Sequence, residues 1–301
     1  MSLVPSPVTF IGTGIMGSRM AEHLIANGHP LHVHNRTRQK AEALLKKGAV
    51  WHDTPESAAA ASDRVITMLG LPSDVEQVYF GQEGVRGILA AAKPGSLLID
   101  MTTSSPRLAE RISQAAEERG MESLDAPVSG GDVGARNASL VVMVGGRQEA
   151  FDRGVPLLNQ LGKSITLLGP AGSGQQCKLV NQIAVAVGMV AWCEALAVAK
   201  AAGLDPSMVQ AVIGGGAAGS WGLTNLAPRA LGADFNPGFL VRHLVKDICL
   251  AHKEADIHGV RLPGLEVAWR LYEILKEAGY SEAGTQVLFH HYDTNRGVSK
   301  Q

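Results

Sequence analysis

Short apolar runs alternate with amphipathic stretches between residues 8 and 169, and this alternation predicts strands and helices in turn. The candidate strands are residues 8–12, 31–34, 64–69, 96–101, 122–126, 139–144 and 164–168. Nearly continuous apolar strands separated by helices are typical of a parallel sheet covered on both faces. The pattern therefore predicts a doubly wound α/β domain over residues 1–169.

The pattern becomes wholly helical after Gly172, with no further strand signal. Helices are predicted near residues 175–202, 239–258, 264–278 and 283–291, and another is opened by Asp205-Pro206 as N-cap and first helical residue. The long first helix carries apolar residues on overlapping faces, which predicts burial: Leu179, Val180, Ile183, Val187, Val190 and Leu196. We therefore expect an all-α domain over residues 170–301, linked to the first domain by this helix.

Three glycines follow the first strand in the order G-x-G-x-x-G, and an amphipathic helix ending at Asn27-Gly28 follows them. This arrangement is the fingerprint of a dinucleotide pyrophosphate site. The first glycine permits the turn, the second lets the backbone approach the phosphates, and the third lets the helix pack on the strand. The predicted contacts are Gly12, Thr13, Gly14, Ile15, Met16 and Gly17. Glycine is frequent in this chain, so a chance match is the alternative for the loop taken alone.

The end of the second strand bears on the choice of cofactor. An acidic residue there binds the ribose hydroxyl of NAD, whereas a basic residue accommodates the phosphate of NADP. The chain has Asn35-Arg36-Thr37-Arg38 at this point and no acid. We therefore predict that NADP(H) is preferred and that NAD(H) remains possible. The alternative is that Arg36 and Arg38 are solvated residues that open the next helix.

Composition limits the other classes of function. Formal net charge is −1, with 27 basic and 28 acidic residues, and no charged block suggests a nucleic-acid partner. The three cysteines, Cys177, Cys193 and Cys249, form no metal-ligand or disulfide pattern. Residues 1–7 lack the pattern of a secretion signal, and the apolar run over residues 183–193 is shorter than a membrane span. We expect a cytoplasmic protein with no membrane, nucleic-acid or metal partner.

Two glycine-containing segments offer catalytic chemistry. Ser129-Gly130-Gly131 follows a candidate strand, and its hydroxyl and bare backbone N–H groups could cradle a carboxylate, although an ordinary turn explains it equally well. Lys178 and Asn181 share one face of the long helix. A lysine beside a bound carbonyl can act as a general acid, and a surface lysine is the alternative. The segment Pro237-Gly238-Phe239 and the pair Lys246-Asp247 show only an amphipathic helix.

Four segments, taken in order, resemble the motifs of the β-hydroxyacid dehydrogenase family, and the resemblance covers nearly the whole chain. They are the dinucleotide loop over residues 10–28, the substrate motif over residues 125–146, the catalytic motif over residues 172–182 and the pair Lys246-Asp247. The resemblance implies that Lys178 is the catalytic lysine, with Asn181 hydrogen-bonded to substrate beside it. It implies a carboxylate site at Ser129, Gly130 and Gly131, with Phe239 and Asp247 at the edge of the pocket. It also implies cofactor contacts at Leu69, Thr103 and Lys246, with Thr103 against both the nicotinamide and the substrate. Self-association as a homodimer or homotetramer is a further implication.

Two positions depart from the family pattern. Many members have asparagine four residues after the lysine, where this chain has Gln182, so the catalytic amide is either Asn181 or Gln182. Ala138 stands where many members have glycine. The resulting hypothesis is a reversible reductase of a small semialdehyde or 2-oxo acid that bears a carboxylate. The alternatives are an imine reductase, in which the lysine is usually replaced, and a non-enzymatic dinucleotide-binding scaffold.

Overall fold

A computed structural model describes residues 5–82 and 84–294. The chain divides into two compact units, Met1–Lys178 and Leu179–Gln301. Unit 1 holds the sheet and its covering helices, whereas the described part of unit 2 is helical. The α/β region followed by a helical region confirms the predicted fold class.

The strands of unit 1 are β1 Val8–Ile11, β2 Leu31–His34, β3 Val50–Trp51, β4 Arg64–Thr67, β5 Gly81–Gln82, β6 Val85–Arg86, β7 Leu97–Asp100, β8 Glu122–Asp125, β9 Val128–Ser129, β10 Leu140–Gly146 and β11 Gly162–Gly169. Its helices are α1 Ile15–Ala26, α2 Glu42–Leu45, α3 Pro55–Ala59, α4 Pro72–Phe80, α5 Pro106–Glu117, α6 Gly131–Arg136 and α7 Gln148–Leu158, with short 3₁₀ turns at Arg38–Ala41 and Ile88–Ala90. All seven predicted strands are present, β2 with the predicted bounds and the other six with shifted ends. The two-residue strands β3, β5, β6 and β9 are too short to give a sequence pattern.

The main sheet has the strand order β11-β10-β8-β7-β4-β1-β2-β3. From β3 to β8 every neighbouring pair is parallel. Alternate residues of a strand face opposite sides, so Ile66 and Ile99 belong to one apolar cluster and Val65 and Leu98 to another. Helices contribute to both clusters, which explains why the central strands β1, β4 and β7 carry mostly apolar residues.

Strands β10 and β11 run antiparallel to the central strands of the sheet. Both β8 and the short β9 pair with β10 in antiparallel register, and β11 runs parallel to β10. Gly169 at the end of β11 pairs with Gly145, and Gly145 pairs with Asp125 at the end of β8. This reversal returns the chain to the carboxyl ends of the central strands, where the next helix begins.

That helix, α8 Ser173–Ala201, has 29 residues and contains the boundary between the two units. Most of the predicted apolar residues are buried or half-buried, but Val180 is 66% exposed, so its predicted burial is wrong. A helix that is apolar on every side gives no periodicity from which to choose the buried face. Within the described residues α8 is long and apolar enough to cross a membrane, although the apolar run over residues 183–193 is by itself too short. The core helices of water-soluble proteins pass the same test.

Unit 2 continues with α9 Pro206–Gly214, α10 Trp221–Asn225, α11 Ala227–Leu231, α12 Val241–Ile257, α13 Pro263–Leu275 and α14 Leu288–Thr294, together with a π turn at Lys276–Tyr280 and a 3₁₀ turn at Thr285–Val287. The Asp205 side chain accepts the Ser207 N–H and caps α9, as predicted. A separate apolar cluster holds these helices together, with Trp192, Leu244 and Tyr272 among its buried members.

Candidate functional site

The carboxyl ends of the central strands fall on one row. Ile11 pairs with both His34 and Thr67. Thr67 pairs with Asp100, and Asp100 pairs with Asp125. Each cofactor or substrate residue predicted in the sheet region of unit 1 lies on a segment that follows one of these strand ends. Open α/β sheets bind their ligands at this edge.

The loop after β1 has space for a phosphate where the fingerprint predicts it. Gly12 has φ +101°, and a Cβ on it would collide with the Met68 carbonyl oxygen. A Cβ on Gly17 would collide with the Gly12 carbonyl and lie 3.0 Å from the Phe10 ring. Gly14, the N-cap of α1, has nothing within 4 Å of its Cβ position. The helix N-terminus therefore opens onto a cradle that fits a dinucleotide phosphate.

The rest of this loop is fixed to the end of β2. The Thr13 N–H donates to the Asn35 side-chain oxygen at 3.0 Å, and the Asn35 amide donates to the Thr37 carbonyl at 2.9 Å. In the described part of the chain, the buried Thr13 hydroxyl makes no hydrogen bond. Met16 packs against the core, whereas Ile15 is 45% exposed. These hydrogen bonds therefore connect the glycine loop to the predicted cofactor residues at the end of β2.

Two guanidinium groups flank the end of β2. The Arg36 side chain is 90% exposed and lies 3.6 Å from the Asp74 carboxylate. The Arg38 guanidinium lies over the Trp51 ring, 5.2 Å from its centre. The basic character predicted for this position is therefore present at the surface, with a carboxylate beside Arg36.

A buried hydrogen-bond network fixes the loops after β4 and β7. The Asp100 carboxylate accepts from the Thr67 hydroxyl at 2.8 Å and from the Thr102 N–H at 3.1 Å. The Thr102 hydroxyl in turn accepts the Leu69 N–H at 2.8 Å. Burial, helped by the nearby Asp100 charge, raises the pKa of Tyr79, whose hydroxyl lies 3.1 Å from that of Thr67. Leu69 and Thr103, two predicted cofactor contacts, belong to these fixed loops.

Asp125 holds the start of α8. Its two carboxylate oxygens accept the N–H groups of Gly172 and Gln175, each at 2.8 Å. Burial raises the pKa of Asp125 to about 6, against the lowering effect of these two N–H donors, and the Asp100 charge adds to the rise. A Cβ on Gly174 would lie 2.6 Å from the Asp125 carbonyl oxygen. A buried carboxylate therefore caps the first turn of α8, where the helix dipole favours a negative charge.

Lys178 lies one turn further along α8 and is only 6% exposed. Burying an ammonium group is costly unless it has partners, so this placement disfavours the surface-lysine alternative. The Gln175 side chain, in the first turn, accepts the Ser104 N–H and donates to the Thr102 carbonyl, both at 2.8 Å. The predicted lysine is thus carried by a helix that is anchored to the loop after β7.

The predicted carboxylate site lies where β9 meets α6. Ser129 is half-buried and pairs with Val141 of β10, so it lies on a short strand and not in an ordinary turn. Gly130 and Gly131 follow with φ of +129° and +62°. Ala138 has φ +49°, a conformation that suits glycine and strains alanine.

A second polar cluster belongs to unit 2. The Asn181 amide donates to the Gln182 oxygen at 2.8 Å, and the Gln182 amide donates to the Asp247 carboxylate at 2.6 Å. The other Asp247 oxygen lies 3.0 Å from the Lys246 ammonium group. Phe239 is half-buried and contacts the His243 ring edge-on, with the ring centres 6.4 Å apart. Asn181, Gln182 and Lys246 are therefore linked to the buried carboxylate of Asp247, and Phe239 is not part of this chain of contacts.

Sequence reasoning missed the supporting residues of unit 1. The sequence pattern does not single out Thr67, Asp100, Asp125 or Gln175. An acidic residue that ends an otherwise apolar strand is the signal that could have identified Asp100, whereas β8 also carries Glu122 and Ser123 and gives no such signal for Asp125. Within residues 5–82 and 84–294, no group of three or more His, Cys, Asp or Glu side chains is arranged to hold a metal ion.

Two family profiles match the chain. The NAD-binding domain of 6-phosphogluconate dehydrogenase matches residues 7–169, and the NAD-binding domain of NADP-dependent 3-hydroxyisobutyrate dehydrogenase matches residues 172–292. A 3-hydroxyisobutyrate dehydrogenase-like protein of Arabidopsis thaliana is 42% identical, over 98% of this chain and 87% of its own. The 2-hydroxy-3-oxopropionate reductase of Escherichia coli is 40% identical, over 91% of this chain and 92% of its own.

Solved structures agree with these matches. The 3-hydroxyisobutyrate dehydrogenase of Mycobacterium tuberculosis, solved with L-serine, has a TM-score of 0.85 and 31% identity, covering 96% of this chain and 99% of its own. An imine reductase of Myxococcus stipitatus is more distant, with 18% identity, a TM-score of 0.62 and coverage of 96% and 99%, and shares the fold alone. The chain belongs to the β-hydroxyacid dehydrogenase family and is an NAD(P)-dependent dehydrogenase acting on a CH–OH group.

Proposed function

We propose that this enzyme interconverts a small carboxylate-bearing semialdehyde or 2-oxo acid and its hydroxyacid, with a preference for NADP(H). The observation that carries the proposal is the burial of Lys178 on α8. The first turn of this helix is hydrogen-bonded to the end of β8 and to the loop after β7, at the sheet edge where β1 also ends. The Escherichia coli relative is named for a carboxylate-bearing oxo compound of this class, which supports the choice of substrate. We further propose a cytoplasmic homo-oligomer.

Lys178 is the proposed general acid and base. During reduction its ammonium group donates a proton to the carbonyl oxygen of the substrate, and during oxidation the amine takes the proton back. Bound nicotinamide supplies or accepts the hydride at the carbonyl carbon. Because Lys178 neutralises the developing oxyanion, the proposed reaction assigns no role to a metal ion.

Ser129 and the backbone N–H groups of Gly130 and Gly131 are the proposed carboxylate site. The hydroxyl can donate to one carboxylate oxygen while the amides donate to the other. A fixed separation between this site and Lys178 would restrict the distance between the carboxylate and the carbonyl of the substrate. The enzyme should therefore prefer short hydroxyacids.

Asn181 is the proposed amide beside the lysine. It lies one helical turn after Lys178, whereas the Gln182 amide is buried and donates to Asp247. The resemblance to the family supports the other assignments in unit 2, which are Lys246 toward the cofactor and Phe239 and Asp247 toward the substrate.

The preference for NADP(H) rests on the end of β2. Arg36 and Arg38 provide guanidinium groups that can bind a phosphate bidentately, and the exposure of Arg36 makes it accessible to a ligand. The profile that matches residues 172–292 is also described as NADP-dependent. Use of NAD(H) remains compatible with the family.

The direct test is turnover of NADPH with a panel of carboxylate-bearing aldehydes: glyoxylate, succinic semialdehyde, methylmalonate semialdehyde and tartronate semialdehyde. Propionaldehyde, which has no carboxylate, is the matched control, and NADH is compared at each substrate. We expect turnover of at least one member, with a higher kcat/KM for NADPH. Turnover of none, or equal turnover of propionaldehyde, would contradict the proposed substrate class. A preference for NADH would contradict only the cofactor assignment.

A further inference from the structure

The Gln175 side chain binds the backbone on both sides of Thr103, the residue that the family resemblance places against the nicotinamide. Its side chain is completely buried. The amide oxygen accepts the Ser104 N–H and the amide nitrogen donates to the Thr102 carbonyl, each at 2.8 Å. Thr103 lies between these two backbone groups, so one side chain fixes the chain immediately before it and immediately after it.

The same residue also belongs to the anchored start of α8. The Gln175 N–H donates to Asp125 at 2.8 Å, at the end of β8. Lys178 is three residues later on the same helix, close to the same face. Gln175 therefore connects the Thr103 segment, the end of β8 and the helical turn that carries Lys178.

Neither end of this connection can shift easily. Thr102 is already held, because its N–H donates to Asp100 and its hydroxyl accepts from Leu69. On the helical side, a Cβ on Gly174 would lie 2.5 Å from the Met143 carbonyl oxygen, so the backbone there is in close contact with β10. The Gln175 amide is thus a hydrogen-bonding bridge between two segments that are each fixed.

We propose that Gln175 is a positioning residue, which sets the placement of Lys178 relative to Thr103 and so aligns the general acid with the reacting centre. The inference deepens the proposed function and rests on it. Without this amide, the Ser104 N–H and the Thr102 carbonyl would lose buried partners, and the loop would rearrange to find others. A displacement of about 1 Å between reacting groups can cost about 100-fold in rate.

The first test replaces Gln175 by methionine, which keeps the length of the side chain and removes both hydrogen bonds. Gln176→Met is the matched control, because Gln176 is the next residue of α8 and is exposed. We expect kcat of Gln175→Met to fall about 100-fold, by analogy with a misplacement of about 1 Å. The Kd for NADPH should change less than about threefold, since the phosphates bind to the separate loop after β1.

The second test is Gln175→Glu, which converts the bridge into a pH-dependent one. A protonated carboxyl can accept from Ser104 and donate to Thr102, whereas an ionised carboxylate can only accept and would face the Thr102 carbonyl. Activity of this variant should approach that of the wild type in acid and fall as the pH rises. Asp100, Asp125 and Lys178 lie near this position in both proteins, so the effect is measured as the difference between their pH profiles.

The third readout needs no catalysis. Hydrogen exchange of residues 102–105 is followed in the protein without cofactor, and we expect faster exchange in Gln175→Met but not in Gln176→Met. If the wild type turned over none of the substrates, the proposed function would fail, while exchange would still decide whether Gln175 holds the loop. Unchanged exchange together with kcat within about twofold of the wild type would overturn the inference. A parallel loss of kcat and NADPH affinity would indicate a general structural role and would also overturn it.

Discussion

The buried carboxylate of Asp125 predicts an unusual pH dependence of stability. The pKa of Asp125 is raised from its ordinary value of 3.8 to about 6, chiefly by burial. The folded protein therefore takes up a proton at a pH where the unfolded chain does not. The resulting stabilisation is complete below the ordinary pKa and is lost as the pH rises through about 6. This group thus makes the fold more stable in mild acid.

The perturbation is Asp125→Asn, which removes the titration while keeping the size of the side chain. From the two pKa values, the proton uptake of the wild type contributes about 1 kcal/mol between about pH 7 and about pH 5. At neutral pH the variant also replaces one acceptor oxygen by an NH₂ group that faces an N–H donor of α8, at a cost of about 1–3 kcal/mol. That cost does not depend on pH, so the pH-dependent part can be separated from it.

The assay is the melting temperature of the wild type, Asp125→Asn and the exposed control Asp63→Asn, compared over this pH range. On acidification, the melting temperature of the wild type should rise by about 2 °C relative to that of Asp125→Asn. This is the shift expected for about 1 kcal/mol in a chain of this size. The control should show no such change, because the Asp63 side chain is exposed. A difference that stays constant, or that shrinks in acid, would refute the reasoning.

Three further predictions follow from single residues. Ala138→Gly should stabilise the protein by about 1 kcal/mol by relieving the left-handed conformation at φ +49°, and a lower melting temperature would contradict this. Thr67→Val should lower the free energy of unfolding by about 1.5–3 kcal/mol, because the buried Asp100 carboxylate loses a donor at 2.8 Å. An unchanged free energy of unfolding in denaturant would count against the network. Arg36→Ala should lower kcat/KM for NADPH about 10- to 100-fold with little effect on NADH, while equal losses with both cofactors would exclude phosphate recognition. Arg147→Ala, an exposed arginine elsewhere in unit 1, is the control for the last experiment.

The central strands were predictable from the sequence because both of their faces are buried. Every residue of β1 and β7 is buried, so each strand is mostly apolar, with one polar residue and no regular alternation. The glycine loop was predictable for a related reason, since Gly12 and Gly17 occupy positions where a side chain would collide with backbone. These features depend on residue type and local spacing.

Features that depend on long-range pairing were not predictable. The strand character of Val128–Ser129 comes only from its pairing with β10. The exposure of Val180 depends on which side of α8 is covered, and an evenly apolar helix does not reveal this. The supporting roles of Asp100, Asp125 and Gln175 require contacts between residues that are 33 to 73 positions apart in sequence. Periodicity does not reveal such contacts.

The central claim is that Lys178 carries the proton transfer, and kinetics of Lys178→Ala test it most directly. Lys163→Ala is the control, since Lys163 is an exposed lysine of β11. We predict that kcat of Lys178→Ala falls by about 10²–10⁴-fold while the Kd for NADPH changes little, and that the control behaves as the wild type. A kcat near that of the wild type in Lys178→Ala would contradict the claim.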